Sequence, residues 1–398
     1  MIEKVSVTNF KSHAHTEIEL GRVTALVGPN GSGKSSFLRA IAKLSEAAFH
    51  PLKEVFAGHF DPIFLTRSGQ QNFELSVDFA ADEKLSLKVN RNIVLKSGDT
   101  RWAGLAQWIS QGFTWTTESF YDVGLDRASW DCSPPLSHNG RKLALPLLKT
   151  KLTSLASIFY LRSFVPYLAA PSYSEEVPPR MSEDGTGLAS TIANLILTDR
   201  KRYEAIESAL CSIVPTVLSV TARPAKVTRV EKKIFSVNNA QFPYDESHEV
   251  VGHELIFDTV GAKQVPAHAM SDGTLLTLAI LTTCWDRTSL GLILLDDIEY
   301  GLHPLGQRRF VQTLKELAAS QQQQIILTSH SPYIVDELDA KDVWVMATDQ
   351  EGISHCKRLS DHPDATRLLE VLTTGELEGA VGEDWVLPHK ALAEEVNA

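Results

Sequence analysis

The sequence predicts an α/β protein of the P-loop kind: a mixed sheet with flanking helices, an antiparallel β subdomain and an inserted α/β subdomain. Three observations carry this. Gly28-Pro29-Asn30-Gly31-Ser32-Gly33-Lys34-Ser35 fits G-x-x-x-x-G-K-[ST] at every fixed position. A second apolar run, Leu292-Ile293-Leu294-Leu295, delivers Asp296 and Asp297 at its end. Strong strand–helix alternation occupies both ends of the chain, and a different pattern fills the middle.

Taken in order, Val5 and Val7 alternate with polar residues, as do Ile18 and Leu20, and Val23 to Val27 is apolar enough for a buried central strand. Phe37, Leu38, Ile41 and Leu44 then recur at helical spacing. Phe73 to Phe79 and Leu85 to Val94 read as further strands. From Arg101 to Pro179, Trp and Pro are frequent and no clean period holds. Gly187–Leu197 and Arg202–Ile213 read as helices, and Val217–Val237 as a β-ribbon. After Glu254 come a helix at Ser271–Trp285, a strand at Leu292–Asp296 and a helix at Leu305–Ala319. Short strands follow at Gln324–Thr328 and Val343–Ala347, and Gln321–Gln324 reads as an exposed turn. The boundaries drawn from this are 1–100, 101–245 as the insertion, 246–360, and an acidic segment 361–398.

Composition narrows the class. The chain has 398 residues, 43% hydrophobic and 22% charged, enough for a proper core. No apolar run approaches the ~18 residues of a membrane span, and Met1 to Phe10 lacks the pattern of a signal peptide. A cytoplasmic protein is expected. Cys132, Cys211, Cys284 and Cys356 show no metal-binding spacing and read as reduced structural thiols. The net charge is -11, concentrated after residue 360, which does not advertise a nucleic-acid binder. One basic cluster stands out, Arg223, Lys226, Arg229, Lys232 and Lys233. On a ribbon its alternate residues face opposite ways, so a DNA contact there competes with an ordinary solvated surface. Trp385 and Val386 beside acids could anchor a docked partner or pack on their own domain.

The phosphate loop has a direct chemical reading. Gly28, Gly31 and Gly33 let the backbone curl so that its N–H groups face a phosphate, and the helix start adds partial positive charge. Asn30, Ser32 and Ser36 belong to the same cradle. Lys34 is placed to reach β- and γ-phosphates, and Ser35 to bind Mg²⁺. Asp296, at the carboxyl end of a buried strand, is assigned to Mg²⁺ through water. Asp297 or Glu299 can orient an attacking water. Met270-Ser271-Asp272-Gly273-Thr274 opens a second helix with Ser271 as N-cap and Gly273 leaving the backbone open. Thr328-Ser329-His330-Ser331-Pro332 places His330 where a γ-phosphate contact is expected.

With Asn9-Phe10-Lys11-Ser12-His13 and Gly301-Leu302-His303-Pro304, this ordered set resembles the ABC-type ATPases of the RecF, SMC and OLD kind, in particular their compact bacterial AAA-family members. The likeness spans residues 1–80 and 245–350. It implies an ATP- and Mg²⁺-dependent head that forms a head-to-tail homodimer with two ATP molecules sandwiched between protomers. The phosphate loop, Asp296 and His330 of one chain would face Ser271 and Gly273 of the other. It also implies Lys11 near the nucleotide, a glutamine loop at Gln70 or Gln71, and a general base at the position of Asp297. The family usually has Glu there, one methylene longer. Met270 and Asp272 stand where Leu and Gly are commoner.

Residues 100–250 lack the sustained heptads of an SMC arm, and residues after His330 show no TOPRIM-like carboxylate set. A nuclease effector, if any, is expected as a separate polypeptide. DNA maintenance, repair or anti-phage defence is the expected setting by family analogy. The rival reading is a slow nucleotide switch that regulates a partner without direct DNA binding.

Overall fold

The computed structural model describes residues 1–49, 52–56, 61–79, 83–94, 100–110, 113–122, 158–162, 165–237, 240–286 and 291–388. The chain forms two compact units, residues 1–160, 287–298 and 314–398 in the first and residues 161–286 and 299–313 in the second. In chain order the strands are β1 (Ile2–Phe10), β2 (His13–Glu19), β3 (Val23–Val27), β4 (Asn72–Phe79), β5 (Glu83–Val94), β6 (Thr100–Ser110), β7 (Phe113–Asp122) and β8 (Ile158–Leu161). They continue with β9 (Val217–Val237), β10 (Ala240–Thr259), β11 (Ala262–Pro266), β12 (Leu292–Leu295), β13 (Gln324–Ser329), β14 (Val343–Thr348) and β15 (Ser354–Arg358).

The first unit holds two six-stranded sheets. One has the order β15-β14-β3-β13-β12-β8. Within it β12, β13, β3 and β14 run parallel to one another, and β15 returns antiparallel to β14. Every residue of β3, β12 and β13 is buried, which is why their sequences are apolar without alternation. Parallel strands deliver their carboxyl ends to one edge. The loop after β3, the acids after β12 and the histidine after β13 therefore meet there. The other sheet is antiparallel, in the order β2-β1-β4-β5-β6-β7. The helix Lys34–Phe49 sits in the core with Phe37, Leu38, Ile41 and Leu44 buried together with Phe10 and Phe73. Each such side chain contributes about 1.5–3 kcal/mol.

Several features differ from the sequence reading. β6 and β7 lie past residue 100, where no period was evident, and they extend the antiparallel sheet. Gln324 is not part of an exposed turn: it is buried as the first residue of β13. Its side-chain amide accepts the Ile2 N–H at 2.8 Å and donates to the Ile2 carbonyl at 2.8 Å and the Gly21 carbonyl at 3.2 Å. The amide thus stands in for a strand partner, which satisfies its burial. Trp385, for which packing on its own domain was one of the two expectations, packs on its own unit. Its ring stands edge-on to His362 at 5.1 Å, its Nε1 donates to the Gly382 carbonyl at 3.1 Å, and Lys357 donates to its carbonyl at 2.8 Å. The segment beyond residue 388 lies outside the described residues.

The second unit contains the helices Leu188–Thr198, Arg200–Ile213 and Asp272–Asp286 and a three-stranded sheet in the order β11-β10-β9. β9 and β10 form one long antiparallel ribbon, paired from Val217↔Thr259 to Val237↔Ala240. Its base is buried through Val217, Val220, Leu255, Ile256 and Phe257, while farther out Val230 is 56% and Val251 73% exposed. Among the described residues no helix is long and apolar enough to cross a membrane. None of the three described cysteines, Cys211, Cys284 and Cys356, is in a disulfide, and burial pushes the Cys284 and Cys356 thiols up to about 12.

Candidate nucleotide and metal site

The loop from Gly28 to Gly33 joins β3 to the helix starting at Lys34. Gly31 has φ 85° and nothing within 4 Å of where a Cβ would stand. Gly33 has φ 105°, and there a Cβ would crowd Ser354 Oγ and the His13 ring, at 2.5 and 3.0 Å. One glycine leaves the loop open and the other lets it sit tightly on its support. The support is His13, fully buried, with Nε2 3.1 Å from the Gly33 carbonyl and Nδ1 2.9 Å from Thr16 Oγ1. Only the Nε2–H tautomer can donate to that carbonyl. Burial lowers the imidazole pKa to about 4.

Lys34 is buried, and its Nζ donates to the Gly28 and Pro29 carbonyls at 2.7 and 2.9 Å. Ser32 Oγ is buried with no hydrogen-bond partner among the described residues. An unsatisfied buried hydroxyl costs about 1–3 kcal/mol, and a phosphate oxygen in the loop would satisfy it. The cradle therefore fits a nucleotide phosphate. Asn30 and Gly31 are exposed, and Ser35 and Ser36 half-buried.

Asp296 gathers three hydroxyls. Its Oδ1 accepts from Ser35 Oγ at 3.0 Å and Thr328 Oγ1 at 2.6 Å, and its Oδ2 from Tyr160 Oη at 3.0 Å. Thr328 Oγ1 also accepts the Asp297 N–H at 2.8 Å. The described residues contain no cluster of three or more His, Cys, Asp or Glu able to hold a metal. The Ser35 hydroxyl beside the Asp296 carboxylate is a donor pair of the kind Mg²⁺ takes from a protein, its shell being completed by substrate phosphates and water. Ser35 and Asp296 would hold it.

Asp297 is exposed and has φ 48°, a left-handed conformation that Asp tolerates better than most residues. His330 is exposed directly after β13, two positions beyond Thr328. Lys11 also has a positive φ, 51°, in the turn between β1 and β2, where its N–H donates to the Leu65 carbonyl at 2.7 Å. Gln70 and Gln71 lie just before β4 of the antiparallel sheet.

In the second unit Ser271 is exposed and caps the helix Asp272–Asp286, its Oγ accepting the Thr274 N–H at 3.3 Å and lying 2.8 Å from Thr274 Oγ1. Asp272 is exposed and Gly273 buried. A Cβ on Gly273 would overlap the Gly301 carbonyl, and one on Gly301 would come 2.7 Å from the Gly273 nitrogen. Glu299 is half-buried in this unit.

The basic ribbon is ion-paired. Arg223 meets Glu254 and Lys226 meets Glu249, each at 2.7 Å, Arg229 meets Glu175, and Lys233 meets Glu246. The Lys232 side chain lies outside the described residues. Sequence reasoning missed Tyr160, Thr328 and His13 as members of the site. The last two stood inside segments already singled out, next to the residues that were given the roles.

Two family models match the chain. One, described as "AAA ATPase domain", covers residues 1–151, and the other, "AAA domain, putative AbiEii toxin, Type IV TA system", covers residues 213–336. No curated protein gives a significant match. Among solved structures, an SMC head bound to the C-winged helix domain of ScpA aligns with TM-score 0.53 and 14% identity over 93% of this chain and 99% of that one. The SMC head domain from Thermotoga maritima aligns with TM-score 0.41 and 15% identity, over 90% and 98%. An SMC head with an extended coiled coil, bound to a C-terminal domain of ScpA and derived from Pyrococcus furiosus, gives 0.47 and 14%, over 93% and 98%. With a phosphate loop and a strand-end carboxylate on its parallel sheet, the chain has the fold of a P-loop NTPase of the ABC/SMC head type and is similar to AAA ATPase domains over residues 1–151 and 213–336.

Proposed function

We propose that this ATPase hydrolyses ATP as a head-to-tail homodimer and couples the cycle to a separate effector protein, such as a nuclease, in DNA maintenance, repair or anti-phage defence. The observation that carries the catalytic part is the hydrogen-bonded set Ser35–Asp296–Thr328–Asp297. It joins the phosphate loop, the strand-end acids and the strand leading to His330. In this reading Lys34 and the loop amides bind phosphate, with Lys11 near the nucleotide. Asp297 takes the proton of the attacking water, with Glu299 as the other carboxylate able to orient it. His330 contacts the γ-phosphate. Mg²⁺, held by Ser35 and Asp296, would neutralise phosphate charge. Ser271, exposed at a helix start, is offered to the partner protomer's nucleotide together with Gly273.

A second reading is a slow nucleotide switch that regulates its effector without touching DNA. The paired ribbon favours this over direct DNA contact, since Arg223, Lys226, Arg229 and Lys233 each already face a carboxylate. Likeness to an SMC head that holds a domain of ScpA is in keeping with a protein partner.

Steady-state ATP turnover, with and without linear duplex DNA and with Lys34→Ala as the blank, tests both. Turnover above the blank that DNA stimulates supports a DNA-coupled ATPase. Turnover indifferent to DNA supports the partner-coupled switch. Equal turnover in Lys34→Ala would sink the hydrolysis reading.

A further inference from the structure

The Asp296 carboxylate can accept about four hydrogen bonds, two on each oxygen. Ser35 and Thr328 use both positions on Oδ1, and Tyr160 uses one on Oδ2. One position remains, on Oδ2, and its direction depends on where Tyr160 Oη pins that oxygen. Tyr160 is 2% exposed in β8, the strand beside β12. Packing therefore fixes its ring, and its hydroxyl has little freedom. Three donors from three elements, the helix Lys34–Phe49, β13 and β8, hold the carboxylate plane.

We propose that Tyr160 is a positioning residue for the nucleotide's metal, acting by orienting the open lone pair of Asp296 Oδ2. This rests on the ATPase reading above. A buried tyrosine needs some partner for its hydroxyl, and a strand-capping role alone would satisfy that need. The two roles separate because only the positioning role touches the metal response. Hydrogen-bond partners of metal-binding carboxylates typically change metal affinity about 10–100-fold when removed.

The test uses the full chain and a non-hydrolysable fluorescent ATP analogue, titrated with Mg²⁺ in wild type and Tyr160→Phe. The expected result is binding in EDTA within about twofold of wild type, an unchanged melting temperature, and a Mg²⁺ half-saturation raised about tenfold. In an Asp296→Asn background the same Tyr160→Phe change should add nothing to the Mg²⁺ response. A half-saturation within twofold of wild type overturns the proposal. So does an equal loss of binding with and without metal, which would mark a structural role. Wild type that ignores Mg²⁺, or Lys34→Ala that binds the analogue normally, overturns the ATPase reading and this proposal with it. Failure of Tyr160→Phe alone leaves that reading standing.

Discussion

The Ser35 hydroxyl donates to Asp296 at 3.0 Å, although 261 positions separate them in the chain. One residue lies in the first turn of the helix after the phosphate loop, and the other directly follows β12. Neither strand touches the other directly, because β13 lies between β3 and β12. The contact therefore spans two strand spacings and is bridged by Thr328 from the strand in the middle. Replacing Asp296 by Asn keeps the shape and removes the charge. ATP turnover should fall at least about 100-fold, the loss typical of removing a charge-stabilising group from a site, while the melting temperature moves little. Unchanged turnover in Asp296→Asn would remove this carboxylate from the mechanism.

The glycine pair Gly273 and Gly301 yields a stability prediction. Their backbones lie so close that a Cβ on either would overlap the other, and Gly301 is also left-handed, with φ 71°. Gly273→Ala should lower unfolding stability by about 1–3 kcal/mol, the usual cost of overpacking. A urea titration with unchanged slope and a lower midpoint would show it. If Gly273→Ala instead unfolds at the wild-type midpoint, the two backbones have room to separate. Any loss of turnover would then come from the nucleotide site and not from the fold.

The phosphate loop, Asp296 and the strands flanking them were legible because their chemistry is local. A loop motif between an apolar strand and an amphipathic helix can be read without knowing its neighbours, and so can four apolar residues ending in acid. Tyr160 and Gly301 were not legible in their roles, because each acts through a contact set by strand order or loop packing. Gln324 fell in both an expected turn and an expected strand, because a run of four glutamines resembles solvated chain, and the strand is the reading the fold bears out. Its burial makes sense only once Ile2 lies beside it. The ribbon shows the same limit. The basic residues of β9 were plain, but the acids that pair with them sit on β10 and a distant loop. Only the register Arg223↔Glu254 and its neighbours brings them together.

Those pairs lead to a prediction about nucleic acid. Exposed ion pairs contribute about 0–1 kcal/mol each, so Lys226→Ala should change stability by no more than that. If the ribbon is charge-balanced surface, Lys226→Ala combined with Arg223→Ala leaves ATP turnover, with or without duplex DNA, at wild-type values. A selective loss of DNA-stimulated turnover in that double variant would instead make β9 a DNA contact and return the DNA-coupled reading to the front.

His13 gives the pH dependence of stability. Burial holds its folded pKa near 4 against an ordinary value of 6.5. The unfolded chain therefore takes up a proton first as pH falls. The stabilisation is fully present above pH 6.5, is lost at up to about 1.4 kcal/mol per pH unit below it, and is gone below about pH 4. In full this is about 3 kcal/mol. His13→Gln keeps an N–H able to reach the Gly33 carbonyl but does not titrate. Urea unfolding of both proteins at pH 7, 6 and 5 should give curves that converge as pH falls, with wild type losing more. Parallel curves would mean that His13 is hydrated in the folded protein and protonates there as readily as in the unfolded chain.

Asp297 is the last position to test, and here backbone and chemistry can be separated. Its left-handed φ and the N–H bond to Thr328 hold the backbone, while the exposed carboxylate extends from it. Asp297→Asn preserves both backbone features, since Asn accepts φ near 48° as readily as Asp. It removes only the proton acceptor. If Asp297 is the base, turnover drops about 100- to 10,000-fold, nucleotide binding stays at wild-type affinity, and an ATP-bound dimer accumulates on size exclusion. Asp297→Ala should add a stability cost from the left-handed backbone, about 1 kcal/mol, that Asn does not share. Turnover in Asp297→Asn within a few-fold of wild type would move the role of base to Glu299, and Glu299→Gln would then show the larger loss.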